Sequence, residues 1–304
     1  MFDTRIRLRH IRCFSETARL GSLSAAAQTL SVSQPAASKT IRELEEVLGV
    51  DLFDRSNRRL TLTQAGRIFQ QHCGTALREL GRAQSLVQQG PKQTLRLSIG
   101  ALPSASTQLL PDAALAFREQ SPDCQLRVST GPNWLLMSQL REGSLDMVVG
   151  RMGSAKVMEG LTFHPLYSER ICAVTRPGHP IGQSDAPQTE IANYPLMLPP
   201  GGAVISPTVR QFLSGIGITA VAPAYESVAL AFGRSVVSQS DTIWFISHGV
   251  VQDELRKGEL VEVPIASDLL GGPVGISLRE DAVDADIRQA FIDCLKSAAA
   301  ARQD

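Results

Sequence analysis

The sequence is short of the features that mark secreted, metal-binding or membrane proteins. Its five cysteines in 304 residues are odd in number and form no C-x-x-C pair, which argues against a disulfide framework and a zinc site. Its five histidines have no metal-ligand spacing. No apolar run approaches the ~18 residues of a membrane span. We therefore expect a cytoplasmic, soluble protein with no membrane partner, whose thiols are reduced and mostly buried.

Nucleotide-binding and hydrolase motifs are also lacking. The sequence contains no Walker loop and no G-x-S-x-G elbow. The stretch Gly215–Ala220 has the letters of a dinucleotide fingerprint, but it follows a helical segment rather than a strand. We interpret it as a turn. The sequence therefore predicts neither a catalytic residue nor a cofactor.

What is present is a pair of short helices within residues 22–41, joined by a three-residue turn. Ser22 and Ser33 are N-cap candidates for the two helices. In the second helix the spacing puts apolar residues on one face, which must point into a core: Ala37, Ile41, Leu44 and Leu48. The opposite face carries groups that suit phosphates and base edges: Pro35, Ser38, Lys39 and Arg42. The pattern indicates a helix-turn-helix, although Ala-rich helix pairs also occur in ordinary helical proteins.

A basic hairpin is predicted directly after these helices. Residues 51–63 have the pattern strand, Ser-Asn turn, strand, with Arg55, Arg58 and Arg59 near the tip. Such a wing would contact phosphates and add affinity that depends on salt but not on sequence. The alternative is a solvated charged hairpin without a partner.

Residues 6–66 resemble the winged helix-turn-helix of LysR-type transcriptional regulators. The resemblance depends on these segments: Arg9–Ile11, Phe14, Ser24–Ala27, Ser33–Ser38, Ile41–Glu45, Leu48–Gly49, Leu52–Arg55 and Leu62–Gly66. It implies that the second helix enters the major groove of double-stranded DNA and assigns base or phosphate contact to Gln34, Pro35, Ser38, Lys39 and Arg42. Ser33 and the wing residues Arg55, Arg58 and Arg59 complete the set of predicted DNA contacts.

The distribution of charge supports a basic head on an acidic body. Residues 1–90 hold 13 Lys or Arg against 8 Asp or Glu, which gives +5, and residues 91–304 hold 17 against 22, which gives −5. The overall charge of zero is a cancellation. This asymmetry is typical of a DNA-binding unit attached to a body that stays off the DNA.

One long helix is predicted after the wing, from the N-cap candidate Thr63 to Gly90-Pro91. Its apolar stripe needs a partner, and two-fold symmetry favours a second copy of the chain. The alternative is that the helix packs on its own body. We assign residues 67–90 to a linker and dimerisation helix.

The body, residues 92–304, alternates strands with helices, which predicts βαβ units and parallel sheets. The predicted strands are Leu95–Gly100, Gln125–Ser129, Leu145–Gly150, Ile171–Val174 and Thr242–Ile246, and a last helix is predicted at about 284–300. The family resemblance implies a two-lobed α/β effector domain like that of periplasmic binding proteins. Lobe one would take residues 92–168 and 266–304, and lobe two residues 169–265.

Effectors of such domains bind in the cleft between the lobes, where strand ends meet helix starts. Arg151 follows an apolar strand, and a guanidinium there is costly unless it meets an anion. The anion is either an effector carboxylate, as in relatives that sense aromatic acids, or a fixed internal carboxylate. The other candidates are Ser104, Ser106, Thr107 and Thr130 in lobe one, with Gly201, Gly202, Ser227 and Arg234 in lobe two.

The second lobe departs from the common family pattern. Residues 240–242 are Ser-Asp-Thr and residue 247 is Ser, where glycines and a proline are usual, and Arg234 stands where small or apolar residues are usual. The stretch from Phe232–Arg234 through Trp244–Val251, followed by Gly272–Gly275, resembles regulators of protocatechuate catabolism. Galactose-associated regulators of the same subgroup are similar to it.

The resemblance implies an activator that binds a small carboxylate effector. It also implies a homodimer or homotetramer that contacts promoter DNA and RNA polymerase. Two alternatives remain at this point. One is an enzyme body with a DNA-binding head, and the other is an architectural DNA binder with a degenerate pocket.

Overall fold

A computed structural model describes residues 3–54, 60–89, 95–219, 222–265, 267–279 and 286–302. The chain forms two compact units. One comprises residues 1–93 with 141–144, and the other comprises residues 94–140 with 145–304. Among the described residues, no helix combines the length and the apolarity that crossing a membrane requires.

The first unit is mainly helical. Its elements are α1 (Leu8–Leu20), α2 (Leu23–Thr29), α3 (Gln34–Leu48), β1 (Phe53–Asp54), β2 (Thr61–Leu62) and α4 (Gln64–Gln89). The predicted N-caps of α2 and α3 are confirmed, because the hydroxyls of Ser22 and Ser33 accept the N–H groups of Ala25 and Ala36. The Thr63 hydroxyl likewise accepts the N–H of Gly66 at 3.0 Å.

The core of this unit lies under the predicted apolar face of α3. Ala37, Ile41 and Leu44 are buried there, and Leu48 is partly buried. Phe14 of α1 is fully buried, with its ring centroid 5.3 Å from that of Phe53. The helical interpretation of this segment is therefore confirmed, and the burial of one face leaves the other available to a partner.

The hairpin after α3 differs from the prediction in length. Its two strands have only two residues each, with Phe53 opposite Leu62 and Asp54 opposite Thr61. Where the chain enters β1, a side chain rather than a partner strand binds the backbone. Glu45, a buried residue of α3, accepts the N–H groups of Leu52 at 2.9 Å and Phe53 at 3.2 Å. The proposed wing residues Arg55, Arg58 and Arg59 lie outside the described residues.

The second unit is a two-lobed α/β body. Its strands are β3 (Leu95–Ala101), β4 (Cys124–Thr130), β5 (Met147–Arg151), β6 (Leu161–Thr175), β7 (Leu196–Leu198), β8 (Tyr225–Glu226), β9 (Ile243–Ser247), β10 (Val261–Glu262) and β11 (Gly271–Arg279). Its helices are α5 (Pro103–Ser106), α6 (Leu109–Gln120), α7 (Asn133–Glu142), α8 (Ala155–Met158), α9 (Pro187–Glu190), α10 (Ser206–Gly215), α11 (Leu230–Val237), α12 (His248–Arg256) and α13 (Asp286–Ala300).

The strands form one hydrogen-bonded path in the order β4-β3-β5-β11-β6-β9-β7-β8, with β10 beside β6. The predicted parallel pairing holds for β3 with β4 and β5, and for β7 with β8 and β9. However, β11 is antiparallel to β5 and β6, and β9 is antiparallel to β6. The sheet is therefore mixed. Its two groups of parallel strands are separated by β11 and β6, which pair antiparallel to each other and to their outer neighbours.

β6 connects the two lobes. Its residues from Leu161 to Arg170 pair with β11, and its residues from Ile171 to Val174 pair with β9. Each part has its own core: Phe117 and Phe291 are central to one, and Trp244 and Phe245 to the other. A single continuous strand therefore carries the chain from one lobe to the other.

The effector candidate Ser227 lies in a short connection between a strand and a helix, because Glu226 ends β8 and α11 begins at Leu230. Ser227 is held between them, since its N–H donates to the Leu198 carbonyl at 3.0 Å and its hydroxyl accepts the N–H of Ala229 at 3.1 Å.

The predicted burial of the thiols is confirmed, because all five cysteines are buried, and they are free. Burial raises the pKa of Cys73 to about 11 and raises that of Cys172 further. These thiols are therefore protonated at neutral pH. Among the described residues, no group of three His, Cys, Asp or Glu is arranged to hold a metal ion.

Gly66 gives a test of the packing between α4 and the hairpin. A Cβ added there would overlap the Leu52 carbonyl oxygen, whereas a Cβ on Gly81, in the same helix, would meet nothing within 4 Å. We expect Gly66→Ala to lower the free energy of unfolding by about 1–3 kcal/mol, because backbone must move. We expect Gly81→Ala to raise it by about 0.4–1 kcal/mol. Urea unfolding of both variants checks this, and equal effects would contradict the packing described.

Candidate functional site

The outward face of α3 is free of core contacts. Gln34, Pro35, Lys39 and Arg42 are exposed, Ser38 is half-buried, and Ser33 caps the helix. These residues share one side of a helix whose other side is buried. Pro35 lies in the first turn, where its missing N–H costs no helical hydrogen bond. Because one side of α3 is buried and the other is exposed, the exposed side can enter a DNA groove while the buried side keeps its packing.

The cations on this face are only weakly held by the protein. Lys39 Nζ lies 3.9 Å from Glu43 Oε1, and both side chains are accessible. Arg42 Nε donates to the Ser38 carbonyl at 3.4 Å, a long bond. Exposed contacts of this kind contribute about 0–1 kcal/mol, so both side chains can turn to phosphates or bases at little cost.

The body contains a cavity of about 450 Å³ between its lobes. Lobe one contributes residues 102–104 after β3, residues 131–134 at the start of α7, and Arg151 at the end of β5. Lobe two contributes residues 200 and 202–205 before α10, and residues 228, 246 and 247. The volume is typical of small-molecule sites, and strand ends are where α/β sheets bind ligands.

Arg151 is the one charged residue among the described residues that line this cavity. Its side chain is 7% exposed. Its Nη2 donates to the backbone carbonyl of Glu169 at 2.9 Å and lies 3.7 Å from Glu169 Oε2. Burial lowers the pKa of Arg151, and the charge of Glu169 opposes that effect. The internal carboxylate that the sequence left open as a partner for Arg151 is thus present.

Glu169 joins the two lobes. It lies on β6, and its Oε1 accepts the N–H of Gly249, near the start of α12, at 3.1 Å. Burial raises the pKa of Glu169, while Arg151, this N–H and the hydroxyl of Ser247 lower it. One carboxylate therefore connects the end of β5 with the start of α12.

Two glycines make room for this pair. Arg151 is on β5 and Glu169 on β6, so the guanidinium must cross β11, which lies between them. It crosses at Gly272, which is opposite Glu169, and a Cβ at Gly272 would overlap Arg151 Nη1. A Cβ at Gly249 would overlap Glu169 Oε1. A side chain at either position would therefore displace the guanidinium or the carboxylate from its present place.

Of the effector residues predicted from sequence, three line the cavity: Ser104, Arg151 and Gly202. The Ser104 hydroxyl also accepts the N–H of Arg151 at 3.2 Å. Thr130, at the end of β4, and Gly201 are exposed and outside the lining.

The remaining candidates have other partners. The Ser106 hydroxyl donates to the Pro103 carbonyl at 3.1 Å, and the Thr107 hydroxyl donates to the Gly249 carbonyl at 2.7 Å. Ser227 binds its own turn, and Arg234 pairs with Glu254 of α12. None of these four lines the cavity.

Sequence reasoning missed four residues of the site. Glu169, Asn133, Trp134 and Ser247 line the cavity or support Arg151. The one available indication was a carboxylate two residues before the predicted strand 171–174. Nothing local indicated that this strand begins ten residues earlier, at Leu161.

Comparison with known proteins covers both units. The family described as "Bacterial regulatory helix-turn-helix protein, lysR family" matches residues 8–67, and the "LysR substrate binding domain" matches residues 89–300. The HTH-type transcriptional regulator PcaQ of Agrobacterium fabrum (strain C58) is 39% identical over 283 residues, which are 92% of this chain and 91% of PcaQ. The regulator GalR of Pseudomonas putida KT2440 is 28% identical over 95% of this chain and 73% of its own.

Among solved structures, full-length LysG from Corynebacterium glutamicum with bound effector Arg has a TM-score of 0.65 and 16% identity, and covers 97% of this chain and 99% of LysG. That likeness shows the fold. The named relatives are transcriptional regulators, so the alternative of an enzyme body is excluded. With one family match over its helix-turn-helix and another over its two-lobed body, the chain belongs to the LysR family of DNA-binding transcriptional regulators.

Proposed function

We propose that this chain is a transcriptional activator that responds to a small carboxylate of protocatechuate catabolism. The effector would bind in the cavity between the lobes, and α3 would bind the major groove of promoter DNA. The observation that carries the effector part is Arg151, a buried guanidinium in the wall of an otherwise uncharged lining.

The DNA part is supported by the exposed face of α3. Gln34 and Arg42 have the length and the hydrogen-bonding groups for base edges, and Lys39 suits a phosphate. Ser33, Pro35 and Ser38 lie near enough to the same face for backbone or hydroxyl contacts. Arg55, Arg58 and Arg59 would add phosphate contacts from the wing. The net +5 of residues 1–90 favours this division of roles.

The effector part is supported by the donor capacity of Arg151. Its guanidinium has five N–H groups, and Nη2 is the nitrogen that donates to Glu169. An effector carboxylate could therefore bind the same guanidinium. Because Glu169 also holds the N–H of Gly249, a change in the Arg151–Glu169 pair would reach α12 in the other lobe. This coupling would let the ligand shift the population between two lobe arrangements.

The choice of pathway is supported by sequence rather than geometry. Segments 232–234, 244–251 and 272–275 resemble regulators of protocatechuate catabolism, and the 39% identity to PcaQ agrees with that subgroup. The second candidate is a galactose- or sugar-responsive regulator, which the similarity to GalR favours.

We also propose a homodimer or homotetramer, assembled in part through α4. Ile68 and Leu80 of this helix are 55% and 54% exposed, and a second copy would cover them. In this proposal residues 6–66 are the DNA-binding domain, residues 67–90 the linker and dimerisation helix, and residues 92–304 the effector-binding domain. RNA polymerase is a further proposed partner. Two α3 helices would then contact two half-sites.

Arg42→Ala tests the DNA contact. Loss of the Arg42 side chain should weaken binding to the cognate promoter by about 1–3 kcal/mol if Arg42 makes a bidentate base contact. Fluorescence anisotropy with promoter DNA and with unrelated DNA measures the effect. Lys257→Ala is the control, because it removes an exposed cation from the body. Unchanged promoter affinity in Arg42→Ala would remove this residue from the interface.

Thermal stabilisation of the full-length chain tests the effector. A true ligand at a hundredfold excess over its Kd adds about 2.7 kcal/mol of stability. We expect a rise in Tm with protocatechuate or its ring-opened product 3-carboxy-cis,cis-muconate, and none with galactose. In the paired variant Arg151→Met/Glu169→Gln, which leaves no unpaired buried charge, that rise should disappear.

The contrary results are equally specific. A rise with galactose alone would favour the sugar-responsive candidate. A rise with the carboxylates that persists in the paired variant would mean that Arg151 does not bind them. Transcription in vitro with the stabilising ligand then decides activation: a ligand that lowers transcript yield would contradict an activator.

A further inference from the structure

The two tryptophans of this chain have opposite environments. Trp244 of β9 is fully buried in the core of lobe two. Trp134, in the first turn of α7, is 60% exposed and lines the cavity. An indole is the largest apolar side chain, and leaving most of it in water forfeits the burial that stabilises a folded protein. Its position in a cavity wall indicates a surface that a ligand covers.

The rest of the lining points to the character of that ligand. Ten of the sixteen lining residues are apolar, among them Pro103, Pro132 and Pro200, and four carry polar side chains. Three of those four already have partners, since Ser104 accepts the Arg151 N–H, Arg151 binds Glu169, and the Ser247 hydroxyl forms a hydrogen bond with Glu169. A sugar would need a partner for each of its hydroxyls, because an unpaired buried hydroxyl costs about 1–3 kcal/mol.

We propose that Trp134 is a specificity-determining residue, a flat platform on which the ring of an aromatic carboxylate stacks. This rests on the proposed function, in which a carboxylate binds near Arg151, and it narrows the ligand class to planar aromatic acids. The rigid, apolar side chains of Pro103, Pro132 and Pro200 would contact the same ligand, and they need no hydrogen bond from it. Aliphatic acids of the same size would keep the charge interaction and lose the stacking.

A matched pair of probes isolates the stacking. Benzoate and cyclohexanecarboxylate have the same carboxylate and the same number of ring carbons, but only benzoate has a planar π face. Calorimetry on the full-length chain should give benzoate a Kd about five-fold lower, the ratio that corresponds to ~1 kcal/mol of aromatic pairing. Trp134→Phe should keep the preference and Trp134→Leu should remove it.

Two controls accompany these variants. Tyr225→Leu removes an exposed aromatic residue that does not line the cavity, and it should leave the preference unchanged. Acrylamide quenching gives an independent measurement, because Trp134 is accessible and Trp244 is not. Benzoate should protect Trp134 from quenching, and Trp134→Phe should abolish the quenchable emission.

The outcomes separate this inference from the proposed function. If both acids bind equally and Trp134 stays quenchable, stacking is wrong while the carboxylate site stands. If galactose protects Trp134 and benzoate does not, the ligand class is wrong. If neither acid binds at millimolar concentration, both the aromatic-acid inference and the carboxylate effector are overturned. A preference for benzoate that Trp134→Leu removes supports the inference.

Discussion

The buried ion pair between Arg151 and Glu169 is the constraint around which the body is organised. Each charge is held in a low-dielectric interior, and removing one partner from such a pair costs about 3–5 kcal/mol. The pair needs three strands in register, because the guanidinium crosses β11 at Gly272 to reach β6. The strand order β5-β11-β6 and the position of the cavity wall are therefore linked by one contact.

The DNA-binding unit has a comparable arrangement on a smaller scale. Glu45 lies on the buried side of α3 and binds the backbone that leads into β1, while the exposed side of the same helix carries Lys39 and Arg42. The hairpin is consequently tied to the helix that we propose reads the DNA. Both units thus use a buried carboxylate to connect elements that are distant in sequence.

Sequence patterns predicted what depends on local periodicity. The caps Ser22 and Ser33, the buried face of α3 and the strands at the centre of each lobe follow from spacing within a few residues. The antiparallel strand β11 and the early start of β6 did not follow, because their polar and glycine-rich segments are strands only by virtue of their neighbours.

The cavity was predicted less completely than the fold. Arg151 could be identified because a guanidinium after an apolar strand needs an anion, but its partner lies 18 residues away on another strand. Ser104 and Gly202 were found from loop chemistry, whereas Ser227 and Thr107 have similar chemistry and bind the protein itself. Loop composition alone does not distinguish a residue that faces a ligand from one that closes a turn.

The five cysteines bear on how this regulator can be controlled and studied. Thiolates, not thiols, react with peroxides and alkylating reagents, and every cysteine here is buried. The raised pKa values of Cys73 and Cys172 keep those two protonated as well. Oxidants would therefore have little access to these thiols in the folded chain. A single cysteine introduced on the surface could accordingly be labelled with a fluorophore while the native thiols stay in place.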